Sequence, residues 1–188
     1  MCIRDRDLDI GLVVSNAGFN PVGSFEERTP DELCRILDVN CKAPLLLAHT
    51  FGPRLLSRGR GGFLMTGSVE GFFGVPYSSA YSASKNYVLA FGEALWGEYA
   101  ETDVDVLVLA PSATDTEIIR ARNMQDLPGI MQPEEVAEYG LDQLRHGPVA
   151  VPGAANQDMA DNFARMPRTN AVVAMGQAMK TAMGKDKG

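Results

Sequence analysis

Apolar positions fall into two alternating kinds of run. Ile10-Gly-Leu-Val-Val14 is short and continuously apolar, and it ends in Ser15-Asn-Ala-Gly18. That is the pattern of a buried parallel strand entering a tight turn. Thr29-Pro-Asp-Glu32 then combines a capping hydroxyl, a proline at the first helical position and two acids at the positive end of the helix dipole. The apolar stripe Leu33, Ile36, Leu37, Leu47, Phe51 continues the helix to about Leu56, with a bend expected near Pro44 and a stop at Gly59 to Gly62.

The alternation repeats downstream. Gly62 to Thr66 reads as a second strand, Ala80 to Tyr99 as a second long helix, and Asp105 to Ala110 as a third strand stopped by Pro111. An irregular segment to Met131 precedes a helix over Pro133 to Arg145, a short strand over Val149 to Val151, and one or two short helices between Met159 and Met183. Strands alternating with helices of this length predict an α/β fold with a parallel sheet.

Composition narrows the function classes. The 188 residues carry 17 basic and 24 acidic side chains, a net charge of −7, with no basic stripe to neutralise phosphates. Nucleic acid is therefore not an expected partner. No apolar run reaches the length of a membrane span. Three cysteines make no disulfide framework, and Cys34 and Cys41 lie seven residues apart, roughly 10 Å along one helix and too far to bridge. A reducing cytoplasmic compartment follows as the expectation. His49 and His146 have no ligand-spaced neighbour, so no metal is expected. Met1 to Arg6 fit neither periodicity and read equally as a translated sequencing-adapter remnant or a frayed charged terminus.

The candidate chemistry lies in Tyr81-Ser-Ala-Ser-Lys85, which puts a phenol and an ammonium at i and i+4 on one helical face. A nearby cation favours phenolate and so lowers a tyrosine pKa from its usual value of about 10, as a general acid or base requires. About one chain in eight of this composition holds such a pair by chance, so the pair alone decides little. Ser68 precedes Tyr81 by thirteen residues, just past the carboxyl end of a strand, where open α/β sheets place ligands. Asn16-Ala-Gly18 closes the preceding strand at the same sheet edge. Asn40 lies within an apolar helical stripe, where a buried amide must find partners.

Together, the NAG turn, the helical Asn40, Ser68, YSASK and Pro111-Ser-Ala-Thr-Asp-Thr116 resemble the short-chain dehydrogenase/reductase family, in order and spacing over roughly residues 8 to 152. The resemblance implies the carboxyl-terminal part of a doubly wound, Rossmann-like parallel sheet. It also implies hydride transfer between NAD or NADP and a carbonyl or alcohol. Carried over, Tyr81 is the proton donor or acceptor. Lys85 holds the nicotinamide ribose and depresses the Tyr81 pKa, Ser68 orients the substrate oxygen, and Asn40 fixes a relay water. Asn16, Ala17, Gly18, Pro111 and Thr116 line the cofactor together with Tyr81 and Lys85. The family also pairs this helix and the preceding one across a dimer, so a homo-oligomer is implied.

Three departures accompany the resemblance. Ser15 replaces a frequent second asparagine, and Ser112 stands where glycine commonly follows the proline, which raises the prospect of a different local backbone. No TGxxxGxG phosphate turn occurs, so the chain is expected to be an amino-terminally truncated member without its first three β–α units. It would then be one partial domain over residues 1–188, with a core over 8–152 and a helical segment over 153–188. An inert fragment and a non-catalytic binding protein are the alternatives to an enzyme.

Ile118, Ile119, Met124, Leu127, Ile130 and Met131 suit an acyl or steroid-like apolar substrate, and equally suit a loop that packs itself down. Met175, Met179 and Met183 form a stripe read as core or subunit contact, with a membrane-surface helix aided by Lys180, Lys185 and Lys187 as the alternative. Phe91, Trp96 and Tyr99 read as packing residues.

Overall fold

The computed structural model describes residues 8–122, 124 and 126–184, so Met1 to Arg6, Lys185 and Lys187 lie outside the described residues. Four strands form one sheet in the order β1-β2-β3-β4: β1 Leu12–Ser15, β2 Gly61–Thr66, β3 Val104–Leu109 and β4 Val149–Ala150. Every pairing is parallel, with Val13 opposite Phe63, Phe63 opposite Val106, and Val108 opposite Val149.

Each crossover contains helical structure. Between β1 and β2 run α1 Pro30–Ile36, a π-type stretch Leu37–Lys42, and α2 Ala43–Arg58. Between β2 and β3 lies α3 Ser79–Glu98, and between β3 and β4 lie α4 Glu117–Ala121 and α5 Pro133–Asp142. The carboxyl-terminal segment forms two helices, α6 Ala154–Arg165 and α7 Arg168–Ala182.

Strand alternation sorts the core into two layers. Val13, Phe63, Met65, Val106 and Val108 face α2 and α3, packing with Phe51, Leu55, Val88 and Leu89. Leu64, Leu107 and Leu109 face the opposite way, toward Val136 of α5 and Leu144. This second layer reaches β1 only at the half-buried Leu12, and Val14 stays 50% exposed. The expectation of a fully buried first strand therefore holds only for Val13. Among the described residues β1 pairs on one side only.

The long crossover starts as the sequence predicts. Thr29 Oγ1 accepts from the Glu32 N–H and the Glu32 carboxylate accepts from the Thr29 N–H, closing a capping box. The irregularity expected near Pro44 is a widened turn just before it. The Ala43 N–H reaches back five residues to the Asp38 carbonyl. Pro44 has no N–H for the Asn40 carbonyl, so the α pattern cannot pass through this point unbroken. The helix then runs through Pro53 and ends where Gly59, at φ 71°, turns back so that its N–H meets the Leu55 and Leu56 carbonyls.

Of the three aromatic residues assigned to packing, Phe91 and Tyr99 join the first layer, whereas Trp96 leaves 41% of its surface exposed. The methionine stripe is turned inward at its centre: Met179 is buried, and Gly176 lies against Pro76. Phe73 stacks on Phe163 of α6, with ring centroids 4.9 Å apart. The carboxyl-terminal helices thus brace the loop leading into α3.

Helix α3 lies so close to β3 that a Cβ on Gly92 would collide with the side chain of Val108. Gly92→Ala is expected to destabilise the fold by about 1–3 kcal/mol through overpacking. Urea denaturation checks this, and an unchanged midpoint would contradict the close helix–sheet contact.

Candidate active site

The site forms where β1 and β2 end and α3 begins. Thr66, the last residue of β2, donates its hydroxyl to Asn16 Oδ1 at 3.0 Å, joining the ends of the two strands. The next turn places Ser68, whose Oγ accepts the Glu70 N–H at 3.2 Å as the N-cap of a 3-10 turn over Val69–Gly71. This turn presses on α3. A Cβ on Gly71 would come within 2.8 Å of the Lys85 backbone carbon, so glycine is what allows the approach. Asn86 Nδ2 donates to the Gly71 carbonyl at 2.9 Å and fixes the register.

Tyr81 and Lys85 follow on one face of α3, with Lys85 Nζ 5.5 Å from the centre of the Tyr81 ring. Lys85 is 3% exposed and donates to the Thr66 carbonyl at 2.6 Å. Gly18 sits beside it: a Cβ there would stand 3.7 Å from Lys85 Nζ and 3.9 Å from Asn40 Oδ1. The NAG turn and the YSASK helix, 63 positions apart in the chain when counted from Gly18 to Tyr81, are therefore neighbours.

Asn40 lies in the π-type stretch and is 2% exposed. Its Oδ1 accepts the Phe19 N–H at 2.8 Å, and its Nδ2 donates to the Phe19 carbonyl at 3.0 Å and to Ser84 Oγ at 2.9 Å. Ser84 Oγ in turn donates to the Tyr81 carbonyl at 2.7 Å. Both amide protons are thus committed to protein partners. The side chain therefore positions Phe19 and Ser84, and a relay water at Asn40 would have to donate to one of its acceptor oxygens.

The ionisation of Tyr81 also differs from expectation. Burial raises its pKa above the usual phenol value, and the Glu70 carboxyl raises it further. A hydrogen bond with Ser68 and the charge of Arg122 oppose the rise without cancelling it. The expected depression by Lys85 does not prevail, because desolvation acts on both groups. Burial pushes Lys85 down to about 8 against the pull of Cys41 and Glu70. Burial likewise raises the Glu70 carboxyl.

The remaining predicted residues take separate places. Pro111 is adjacent, its carbonyl accepting the Val69 N–H at 3.1 Å. Asn16, Ala17 and Gly18 form the exposed rim beyond β1. Thr116 is exposed at the start of α4 and makes no hydrogen bond to the cluster. Ser112 keeps an ordinary backbone, since Tyr77, at φ 64°, is the non-glycine residue at positive φ among the described residues. The serine-for-glycine departure therefore requires no positive φ there.

Sequence reasoning missed three participants. Ser84 was visible inside YSASK, but its link to Asn40 spans 44 positions. Arg122 reaches the Asn20 carbonyl from the far end of α4. Glu70 had a signal: an acid between Val69 and Gly71-Phe-Phe73, two residues beyond Ser68.

The short chain dehydrogenase family model matches residues 3–127, and the chain belongs to that family. It is 26% identical over 175 residues to the 7beta-hydroxysteroid dehydrogenase of Clostridium sardiniense, covering 92% of this chain and 67% of that enzyme. It is 28% identical over 109 residues to dehydrogenase/reductase SDR family member 7B of Rattus norvegicus, covering 58% of this chain and 34% of that protein. Among solved structures, a short-chain dehydrogenase from Sphingobium yanoikuyae in complex with NADPH superposes with a TM-score of 0.72 at 31% identity, over 84% of this chain and 64% of that one. The chain thus spans between about a third and two thirds of the length of these relatives.

Lys85 offers a direct check on the electrostatics. Its folded pKa of about 8 lies below the ordinary 10.5, so between those values the unfolded chain binds more protons and stability rises with pH. Below about 8 the folded protein carries the buried ammonium at full cost, and above 10.5 that cost is gone. Urea denaturation of wild type and Lys85→Met at neutral pH and at about pH 10 should show the difference moving in favour of wild type as pH rises. A pH-independent difference would contradict the shift.

Proposed function

We propose that this chain carries the catalytic half of an oxidoreductase that moves hydride between NAD or NADP and a carbonyl or alcohol, with Tyr81 as general acid and base. The observation that carries this reading is the convergence of Ser68, Tyr81 and Lys85 at one sheet edge, with Lys85 Nζ 5.5 Å from the centre of the Tyr81 ring and the Ser68 hydroxyl acting to lower the Tyr81 pKa. A substrate oxygen held between the Ser68 and Tyr81 hydroxyls would receive the Tyr81 proton as the carbonyl carbon is reduced. A phenol kept protonated by its surroundings suits that acid role.

The residues present fit the nicotinamide end of the cofactor. Lys85 is buried, spends one ammonium proton on the Thr66 carbonyl, and has two left with no hydrogen-bond partner among the described residues. A ribose diol at the Gly18 side of the ammonium would take them, with Asn16, Ala17 and Pro111 along the same rim. A bound nicotinamide dinucleotide supplies or accepts the hydride. The NADPH in the Sphingobium neighbour supports this choice of cofactor class.

The substrate scaffold is proposed to be apolar. Ile118, 58% exposed, and the half-buried Ile119, Met124 and Leu127 surround the segment beyond Thr116. Met131 does not join them: it packs into the second core layer, where its backbone pairs with Thr114.

Tyr81→Phe removes the proton and keeps the ring. Turnover of a ketone with NADPH or NADH, followed by cofactor absorbance, is expected to fall by about 100-fold or more, with the denaturation midpoint nearly unchanged. Near-normal turnover by the phenylalanine variant would overturn the assignment.

A further inference from the structure

We propose that Arg122 is a positioning residue for the proton transfer: seated on the Asn20 carbonyl, it brings a permanent positive charge to the Tyr81 phenol. That charge supports the phenolate left behind when the proton moves to the substrate oxygen. The inference rests on the oxidoreductase reading and adds to it a residue from outside the Ser68, Tyr81 and Lys85 set.

The two arginines at the end of α4 are used differently. Arg120 is exposed and closes a two-pronged ion pair with Asp115, at 2.7 and 2.9 Å. Arg122 is half-buried at the carboxyl-terminal cap of the helix, its N–H bonded to the Ile119 carbonyl at 3.2 Å. Its Nη2 donates to the Asn20 carbonyl, 102 positions away in the chain. Among the described residues no carboxylate lies within ion-pair distance of it, so its charge is not spent on a direct partner.

Both ends of this reach are tied down. Phe19, the residue before Asn20, bonds Asn40 through its N–H and its carbonyl, and its ring lies 4.5 Å from the Arg35 guanidinium. The segment that carries Arg122 is closed at its base, where the Asp115 N–H meets the Met131 carbonyl at 2.9 Å and the Met131 N–H meets the Ala113 carbonyl at 3.2 Å. The guanidinium is thus seated on the same loop that Asn40 fixes beside α3.

Chemistry separates the roles of the two cations. Burial and the Glu70 carboxyl raise the Tyr81 phenol, and Ser68 and the charge of Arg122 act against them. Burial also raises Glu70, against a hydrogen bond with Ser78 and the charges of Arg122 and Lys85. Arg122 therefore acts on both acids of the cluster. Lys85, which Cys41 and Glu70 also face, is pushed by burial down to about 8, so its charge fades in alkaline solution. A guanidinium keeps its charge throughout. When the Tyr81 O–H bond breaks, the proton goes to the substrate oxygen and the electron pair stays on the phenol oxygen. A fixed positive charge at that point favours the transfer more strongly than it would in open water.

Glu70 reports this charge without any turnover. Its carboxyl carbon, identified by the signal lost in Glu70→Gln, is titrated by NMR in the wild-type chain, Arg122→Gln, Arg122→Lys and Arg120→Gln. Arg122→Gln keeps a donor and drops the charge, so the Glu70 midpoint should rise by about half a pH unit or more. Arg122→Lys should stay near the wild type, and Arg120→Gln should not move. An unmoved or lowered midpoint in Arg122→Gln, or an equal rise in Arg120→Gln, would overturn the proposal. Turnover of a ketone with NADPH should fall about tenfold in kcat in Arg122→Gln, with KM little changed, and should recover in Arg122→Lys. An unchanged kcat would overturn the proposal as well. A wild-type chain that shows the Glu70 response and turns over no ketone contradicts the oxidoreductase reading and leaves the seating of the Arg122 charge standing.

Discussion

The buried amide of Asn40 is the contact on which the site's geometry depends. Its three hydrogen bonds reach the Phe19 backbone twice and Ser84 once. Three pieces of chain that share no secondary structure meet at this side chain: the loop after β1, the π-type stretch of the first crossover, and α3. A buried amide with every donor satisfied is stabilising, and leaving one unmade costs about 1–3 kcal/mol. The arrangement is therefore specific as well as cohesive. The same amide sets where Gly18 stands relative to the Lys85 ammonium.

Burial dominates the ionisation of the groups that this frame brings together. It raises the tyrosine and the glutamate and lowers the lysine, shifting every one of them toward neutrality. The opposite charges nearby moderate these shifts and do not reverse them. Such surroundings keep the Tyr81 phenol protonated.

Much of the fold was legible from local chemistry. The capping box at Thr29, the stop at Gly59 and the alternating apolar runs act within a few residues, and each expected element appears near its place, whereas α4 forms in a stretch expected to be irregular. Val14 was misread because continuous apolarity cannot say whether a second layer lies over a strand. The π-type turn was invisible as well. Pro44 announces a disturbance, but the helix accommodates it by widening upstream, where Asn40 bonds Phe19 and Ser84 across the fold. In the site, Ser68, Tyr81 and Lys85 were legible by spacing, whereas the sign of the Tyr81 shift depended on how deeply Glu70 and the phenol are buried together. Asn40 stood out as a polar residue in an apolar stripe, and the partners such a buried amide needs lie at Phe19 and Ser84.

Amide hydrogen exchange at Phe19 tests the Asn40 linkage most directly. The Phe19 N–H lies in an irregular loop, and its acceptor is the Asn40 side chain. In the wild-type chain this amide should be protected well beyond its loop neighbours. In Asn40→Ala it should lose that protection, while amides in the centre of β3 retain theirs. Equal protection of Phe19 in both proteins would show that the loop is held by something other than the Asn40 amide, and would contradict this account of how the site is assembled.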